Sequence, residues 1–169
     1  MDDLNMILSR RSIRKYTRRP VNEDQIETLL KAAMSAPSAG NEQPWHYIII
    51  RDRDILDSIP SFHPHSLMIR DALVAILVCA DTRLQKYKDY WVQDCSAATE
   101  NILLAANILG LGTVWLGVYP LEERVEGFRK LLGIPEHVIP FSLIPVGYPD
   151  EIKLPSDRFD KTRIHKNEW

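Results

Sequence analysis

The chain has 169 residues, of which 45% are hydrophobic and 26% charged, and these proportions are typical of one globular domain. The net charge of −2 provides no bulk cationic field for nucleic acid, and the longest apolar run, residues 72–80, is too short to span a bilayer. Two cysteines cannot build a disulfide framework and the N-terminus is acidic, so we expect a cytoplasmic protein with no nucleic-acid or membrane partner.

The first part of the chain predicts two helices with an extended segment between them. Apolar residues with helical spacing lie within residues 4–8, and the basic cluster at residues 10–14 marks the change to extended chain. Asn22 is a favourable N-cap with Gln25 three residues later, so a second helix is predicted over about residues 23–35. The prolines that follow cannot continue this helix, and a polar loop is expected after it.

Strands and helices alternate through the rest of the chain. Apolar, β-branched runs predict four strands, the first two buried on both faces or nearly so, at residues 45–50, 72–80, 113–118 and 141–146. Helical spacing predicts helices at about residues 55–59, 92–109 and 121–132. Gly110 and Gly133 are favourable residues for ending the last two helices. This interleaving favours a three-layer α/β arrangement in a single domain, residues 1–169.

The basic cluster is the first segment whose residue types suggest a ligand. Arg10, Arg11, Ser12 and Arg14 provide three guanidinium groups and a hydroxyl within five residues. A guanidinium presents a planar fork that binds two phosphate oxygens at once, so this cluster would suit a phosphate. A solvated basic turn is an equally open interpretation, because short basic runs are common on protein surfaces.

The loop at residues 37–44 is the second such segment. Asn41 and Gln43 carry amide donors and carbonyl acceptors suited to the edge of a flat heterocycle, while prolines restrict the loop's shape. The alternative is a plain connector between a helix and a strand, which composition alone favours because connecting loops are normally polar.

Other candidate sites have little support. Gly110 and Gly112 resemble the start of a dinucleotide-binding fingerprint, but they follow a helix and Trp115 occupies the third glycine position. His63 and His65 have no nearby side chains at metal-ligand spacing, so no metal site is predicted and both histidines are expected at the surface.

Four segments of the chain, taken in order, resemble the FMN-dependent nitroreductase family. They are residues 10–16, 36–45 and 110–117, and a tail that contains Arg158 and residues 165–169. The resemblance covers nearly the whole chain and implies an α+β three-layer sandwich, with a central, mostly antiparallel sheet flanked by helices. It also implies an intertwined homodimer with FMN at the subunit interface. This expectation replaces the parallel-leaning α/β arrangement.

The resemblance further implies which residues hold the cofactor. Arg10, Arg11 and Ser12 would lie on the side of the ribityl phosphate. Arg14 would reach the pyrimidine end of the flavin. No metal ligand is implied.

Three more segments complete the implied site. Arg158 in the tail is similar to the family's late phosphate ligand, with Arg163 as a rival. Leu116 and Gly117 would offer backbone groups near the reactive N5 atom. The loop of the partner subunit would contribute Pro37, Ser38, Ala39, Asn41 and Gln43. The tail that ends in Trp169 is expected to pack on the partner.

The implied activity is that of an FMN-dependent oxidoreductase in which the flavin itself transfers the hydride, so no catalytic side chain is expected. NAD(P)H would reduce FMN and leave, and a nitroaromatic, quinone or related acceptor would follow by alternating-substrate kinetics. One alternative is a non-catalytic FMN-binding or carrier protein, because all the implied residues hold the cofactor and none commits it to a reaction. Another is a flavoenzyme with a different reductant or a specific metabolite acceptor.

Overall fold

A computed structural model, which describes residues 3–154 and 156–169, shows an antiparallel sheet with helices on both faces. The α-helices are α1 (Asp3–Ser9), α2 (Glu23–Met34), α3 (Arg53–Ser58), α4 (Trp91–Ile108) and α5 (Glu122–Leu132). The strands are β1 (Trp45–Ile50), β2 (Val74–Asp81), β3 (Gly112–Thr113), β4 (Leu116–Gly117) and β5 (Val138–Gly147). None of the helices in the described ranges is both long and apolar enough to cross a membrane.

The strand order is β1-β2-β5-β3, and β4 also pairs with β5. Each of these strand pairs is antiparallel. The parallel-leaning α/β arrangement favoured by the interleaving is therefore wrong, and the α+β sandwich implied by the resemblance is confirmed. The order of strands and helices along a chain does not specify which strands pair or in which direction, because antiparallel neighbours can also be separated by helices.

The three layers follow from the alternation of side chains along the central strand β2. Ile76 and Val78 belong to a core that includes residues of α2 and α4. Leu77 and Cys79 belong to a second core that includes residues of α3 and α5. Successive residues of a strand point to opposite faces, so a strand with both faces covered can be apolar at successive positions, as β2 is from Val74 to Ala80.

The predicted helix ends agree with the structure. Asn22 Oδ1 accepts a hydrogen bond from Gln25 N at 2.8 Å, and Gln25 Oε1 accepts one from Asn22 N at 3.2 Å, which completes a capping box at the start of α2. Gly110 follows α4 with a φ of 69° and Gly133 follows α5 with a φ of 65°. Glycine occupies this left-handed region at no steric cost.

Two predicted strands differ from the structure. β1 pairs only with β2 among the described strands, and as an edge strand it leaves His46 exposed and Tyr47 half-buried. The strand predicted at residues 113–118 is instead two short strands, β3 and β4, with the half-buried Trp115 between them. An apolar run does not distinguish a central strand from an edge strand that another surface covers.

The tail leaves the sheet after β5. Every described side chain from Ser156 to Trp169 is exposed, and Trp169 is 99% exposed. Ile152 and Leu154 are exposed as well. This segment therefore presents apolar side chains that a single chain does not cover.

Candidate functional site

The basic cluster runs alongside β3. Ile13 N donates a hydrogen bond to Thr113 O at 2.9 Å, and Ser12 forms a parallel bridge with Thr113. A Cβ atom on Gly112 would lie 2.7 Å from Ile13 Cγ2, so only glycine permits this close approach. Arg10 and Arg11 line one cleft and Arg14 lines another, whereas Ser12 lines neither.

The first cleft, which we call the arginine cleft, has a volume of about 230 Å³. Arg10, Arg11 and Lys153 line it together with Glu151. Lys153 Nζ donates a hydrogen bond to Ser12 O at 2.7 Å and lies 3.5 Å from Glu151 Oε1. Three cationic groups against one carboxylate leave the cleft with a positive balance, which suits an anion.

Arg11 is held rigidly at this cleft. Its Nε donates to Leu154 O at 3.0 Å, and its Nη1 donates to Leu8 O at 2.8 Å. Its Nη2 is buried and has no hydrogen-bond partner within residues 3–154 and 156–169. A buried donor without an acceptor is costly, so an anionic ligand that reached Nη2 would remove that cost. This geometry fits a phosphate group.

Arg10 and Glu151 also contact the chain around the cleft. Arg10 Nε lies 3.4 Å from Glu100 Oε1 on α4. Glu151 accepts a hydrogen bond from Arg14 N, and this bond lowers the pKa of its carboxyl. Glu151 is therefore ionised at neutral pH and fixes the backbone between the two halves of the basic cluster.

The second cleft, which we call the Gly117 cleft, has a volume of about 540 Å³. Its polar lining includes Arg14, His63 and Arg124, and its apolar lining includes Trp115 and Leu116. The described residues that line it are Arg14, His63, Pro64, His65, Leu67, Met68, Trp115, Leu116, Gly117 and Arg124. The cleft combines an apolar wall with cationic groups, and none of the described residues that line it is acidic.

The carbonyl group of Gly117 is held from two sides. Arg124 Nη1 donates a hydrogen bond to Gly117 O at 2.6 Å, and His63 Nε2 lies 3.0 Å from the same oxygen. Since a carbonyl oxygen only accepts, the His63 tautomer assigned from this contact carries its proton on Nε2. These two side chains fix the backbone at the mouth of the cleft.

His63 is buried, contrary to the expectation of two surface histidines, whereas His65 is exposed as predicted. Burial lowers the pKa of His63, and the nearby charge of Arg124 lowers it further, so the ring is neutral at neutral pH. Its Nδ1 is buried without a partner among the described residues. No periodic pattern could have revealed this burial, because residues 59–61 and 67–70 form short 3-10 turns.

The loop predicted as a ligand segment is attached to α4 and to the segment before it. Ala39 N donates to Asp94 Oδ1 at 2.9 Å. Glu42 Oε2 accepts hydrogen bonds from Lys86 N at 2.5 Å and Tyr87 N at 3.2 Å. Both carboxyl groups are buried, and neither was identified from the sequence. Acidic residues that bind backbone N–H groups across long sequence separations leave no local motif.

The amide side chains of the loop contact each other. Gln43 Nε2 donates to Asn41 Oδ1 at 2.8 Å, and Gln43 N donates to Ser38 Oγ at 3.1 Å. Asn41 has a φ of 56° and Gln43 a φ of 47°, so both occupy the left-handed region. Such strain persists only where surrounding contacts hold it, and the loop therefore has a defined shape.

Within one chain, the implied cofactor residues do not come together in one site. Arg10 and Arg11 line the arginine cleft, whereas Arg14 lines the Gly117 cleft with Leu116 and Gly117. The loop residues Pro37, Ser38 and Ala39 line a third hollow, of about 350 Å³, at the start of α4.

The two tail arginines that were proposed as rival phosphate ligands line neither cleft. Arg158 is exposed in the tail. Arg163 Nε is 3.1 Å from Asp160 Oδ2.

An antiparallel sheet between two helical layers, with a cleft lined by Arg10, Arg11 and Lys153 beside its edge, defines an α+β protein with a candidate anion site. A sequence profile of the nitroreductase family matches residues 7–67 and 63–148, and the chain belongs to this family. A relative from Methanothermobacter thermautotrophicus, provisionally named NADH dehydrogenase/NAD(P)H nitroreductase, is 58% identical over 169 residues. The match covers 100% of this chain and 88% of that relative. The predicted family is confirmed.

Solved structures confirm the predicted fold. A protein from Parabacteroides distasonis with the same provisional name superimposes with a TM-score of 0.95 at 43% identity, covering 98% of both chains. A provisional nitroreductase from Desulfovibrio desulfuricans, solved in complex with FMN, gives a TM-score of 0.85 at 30% identity. That match covers 100% of this chain and 98% of the other.

Proposed function

We propose that this chain is an FMN-dependent oxidoreductase that takes electrons from NAD(P)H and passes them to nitroaromatic, quinone or related acceptors. The observation that carries the proposal is the buried Nη2 of Arg11 at the arginine cleft, which lacks a partner among the described residues. A phosphate group supplies the missing acceptor. The FMN of the Desulfovibrio structure and the NAD(P)H in the name of the Methanothermobacter relative support the same pair of cofactors.

In this proposal the arginine cleft holds the phosphate of FMN. Arg10 and Arg11 supply charge-assisted hydrogen bonds, and Ser12 adds its hydroxyl. Lys153 contributes a third positive charge at the same cleft. Arg158 of the exposed tail is the proposed late phosphate ligand.

The Gly117 cleft holds the flavin ring in this proposal. Arg14 binds the pyrimidine end, and the backbone of Leu116 and Gly117 faces N5. When bound there, FMN would supply the N5 atom that accepts and returns the hydride, so the chain needs no acid or base of its own for that transfer. The protein binds and orients the ring, and the contacts of Arg124 and His63 with Gly117 O keep the backbone beside it fixed.

We propose that a second copy of the chain completes the site, in an intertwined homodimer. Apolar side chains at both ends of the chain, among them Leu8, Phe159 and Trp169, are exposed and are covered if a partner packs on them. The loop residues contributed by the partner are Pro37, Ser38, Ala39, Asn41 and Gln43. The proposal treats residues 1–169 as one FMN-binding domain, and the cytoplasmic location stays a prediction.

The test is the visible absorption spectrum of natively purified, untagged protein before and after anaerobic NADH or NADPH. We expect flavin bands corresponding to about one FMN per chain. These bands should bleach with the reductant and return when a nitroaromatic or quinone is added. Colourless protein that takes up no added FMN would contradict the proposal. Flavin that NAD(P)H does not reduce would instead indicate a carrier or a different reductant.

A further inference from the structure

Arg124 has donor capacity that the fold does not use. Its Nη1 binds Gly117 O, and it forms no ion pair with an acidic side chain within the described residues. A guanidinium carries five N–H donors, so the contact with Gly117 leaves most of them available. The side chain is half-buried and lines the Gly117 cleft.

The charge of Arg124 is not balanced inside the cleft. Glu122 and Glu123, the acids closest to it in sequence, are exposed on the first turn of α5 and do not line the cleft. The other polar side chains that line it are Arg14 and two histidines, one of which, His63, is neutral at neutral pH. An anion in this cleft would meet attraction and no like charge.

The remaining lining is suited to a flat ring. Trp115 and Met68 are half-buried, and Leu67 is 60% exposed and extends the apolar wall. Aromatic and thioether groups pack favourably against aromatic rings. The cleft therefore offers a surface for a flat molecule and a guanidinium for a negative group on it.

We propose that the part of the Gly117 cleft that the flavin ring leaves free takes a flat aromatic or quinoid acceptor that carries an anionic group, such as a ring carboxylate, and that Arg124 binds this group. The inference rests on the proposed function, which puts the flavin's N5 beside Gly117. Arg124 lies 2.6 Å from Gly117 O, so the anion it holds sits close to the reacting centre. A group attached directly to the acceptor ring meets this condition, whereas the phosphates of a dinucleotide are remote from its reacting ring.

The experiment compares 4-nitrobenzoate with its neutral counterpart 4-nitrobenzamide in the flavin-loaded protein. Arg124→Gln removes the charge and keeps an amide donor for Gly117 O, while Arg124→Lys keeps the charge. We expect the ratio of kcat/KM values, nitrobenzoate over nitrobenzamide, to fall about tenfold or more in Arg124→Gln, the loss of one charge-assisted hydrogen bond. It should fall less in Arg124→Lys. Lys130→Gln, which removes an exposed charge from α5 outside the cleft, should leave the ratio unchanged.

Two further measurements make the outcome decisive. Calorimetric titration with benzoate and benzamide, which are not reduced, should show the same loss of benzoate preference in Arg124→Gln, whether or not flavin is bound. Reduction by NADH is compared with reduction by the uncharged 1-benzyl-1,4-dihydronicotinamide. If Arg124→Gln impairs only the reduction by NADH, the inference is overturned, because the anionic group that Arg124 binds would then belong to the electron donor. An unchanged acceptor ratio in an active flavoenzyme would also overturn it, while leaving the proposed function intact.

Discussion

The carboxylate of Asp94, in the first turn of α4, accepts a hydrogen bond from the backbone N–H of Ala39 at 2.9 Å. This contact joins positions 55 residues apart and attaches the loop of residues 37–43 to the longest helix. The second carboxylate oxygen of Asp94 is buried without a partner among the described residues. The loop that the proposed function assigns to the partner's flavin is thus held by a buried acid with one unused oxygen.

The first prediction concerns pH and Asp94. Burial raises the pKa of Asp94, and the nearby carboxylate of Glu42 raises it further. The folded protein therefore binds this proton more tightly than the unfolded chain does. The free energy of unfolding should fall as pH rises from the ordinary pKa of about 4 through the raised folded value.

Asp94→Asn tests this relationship by removing the charge and keeping an oxygen for Ala39 N. At pH 7 it should stabilise the protein on the order of 1 kcal/mol, or about 2–4 °C in Tm, and its thermal unfolding should depend less on pH above about 4. Asp150→Asn, which changes an exposed acid, is the control. Identical pH profiles for Asp94→Asn and the unmodified protein would show that Asp94 does not carry this pH dependence.

The second prediction concerns Arg11. Arg11→Ala removes the buried Nη2 from the arginine cleft, so FMN binding should weaken by about 1.5–3 kcal/mol, measured by flavin fluorescence titration. The same change removes the bonds to Leu8 O and Leu154 O, and the Tm of the flavin-free protein should fall as well. Arg18→Ala changes an exposed arginine outside the cleft and should leave FMN affinity unaltered. Equal FMN affinity in Arg11→Ala and the parent would exclude a phosphate role.

The third prediction separates the roles of Arg10 and Arg14. Arg10 lies at the proposed phosphate cleft, where its contact is the same for oxidised and reduced flavin. Arg10→Ala should therefore weaken FMN binding by about 1.5–3 kcal/mol and leave the midpoint potential of the bound flavin almost unchanged. Arg14 lines the other cleft, and its charge at the pyrimidine end would favour the negatively charged reduced form.

Arg14→Ala should accordingly lower the two-electron midpoint potential in addition to weakening binding. The measurement is an anaerobic spectroelectrochemical titration of both variants, together with affinities for oxidised FMN. A lower potential for Arg10→Ala alone would reverse the two assignments. A lower potential in neither variant would place the tuning charge elsewhere in the chain.

The fourth prediction concerns the tail. Deleting residues 158–169 removes Arg158 and the exposed Phe159 and Trp169, which we propose pack on the second copy. The truncated chain should dissociate to monomer at micromolar concentration, bind FMN more weakly and unfold at a lower temperature. Trp169→Ala should weaken the dimer less, because it removes one side chain. The tail assignment would be disproved if the truncated protein is still a dimer by light scattering, still holds flavin and has an unchanged Tm.

Local chemistry alone determined much of this protein. The capping pair Asn22 and Gln25 and the glycines after α4 and α5 define helix ends through contacts within a few residues, and the structure reproduces them. The apolar run from Val74 to Ala80 in β2 was recognisable because a strand covered on both faces is apolar at successive positions. The order of its four motifs also identified the family.

Only the tertiary structure decided which of these elements meet. Strand direction, the separation of Arg10 from Arg14 into two clefts, and the burial of His63 all depend on contacts between residues far apart in sequence. Asp94 binds a backbone group of Ala39, 55 residues away, and Arg124 binds a backbone group of Gly117, 7 residues away. Nearly every residue has both a backbone N–H group and a backbone C=O group. The sequence therefore does not show which of these groups a given side chain will bind, and the partner is decided only when the chain packs.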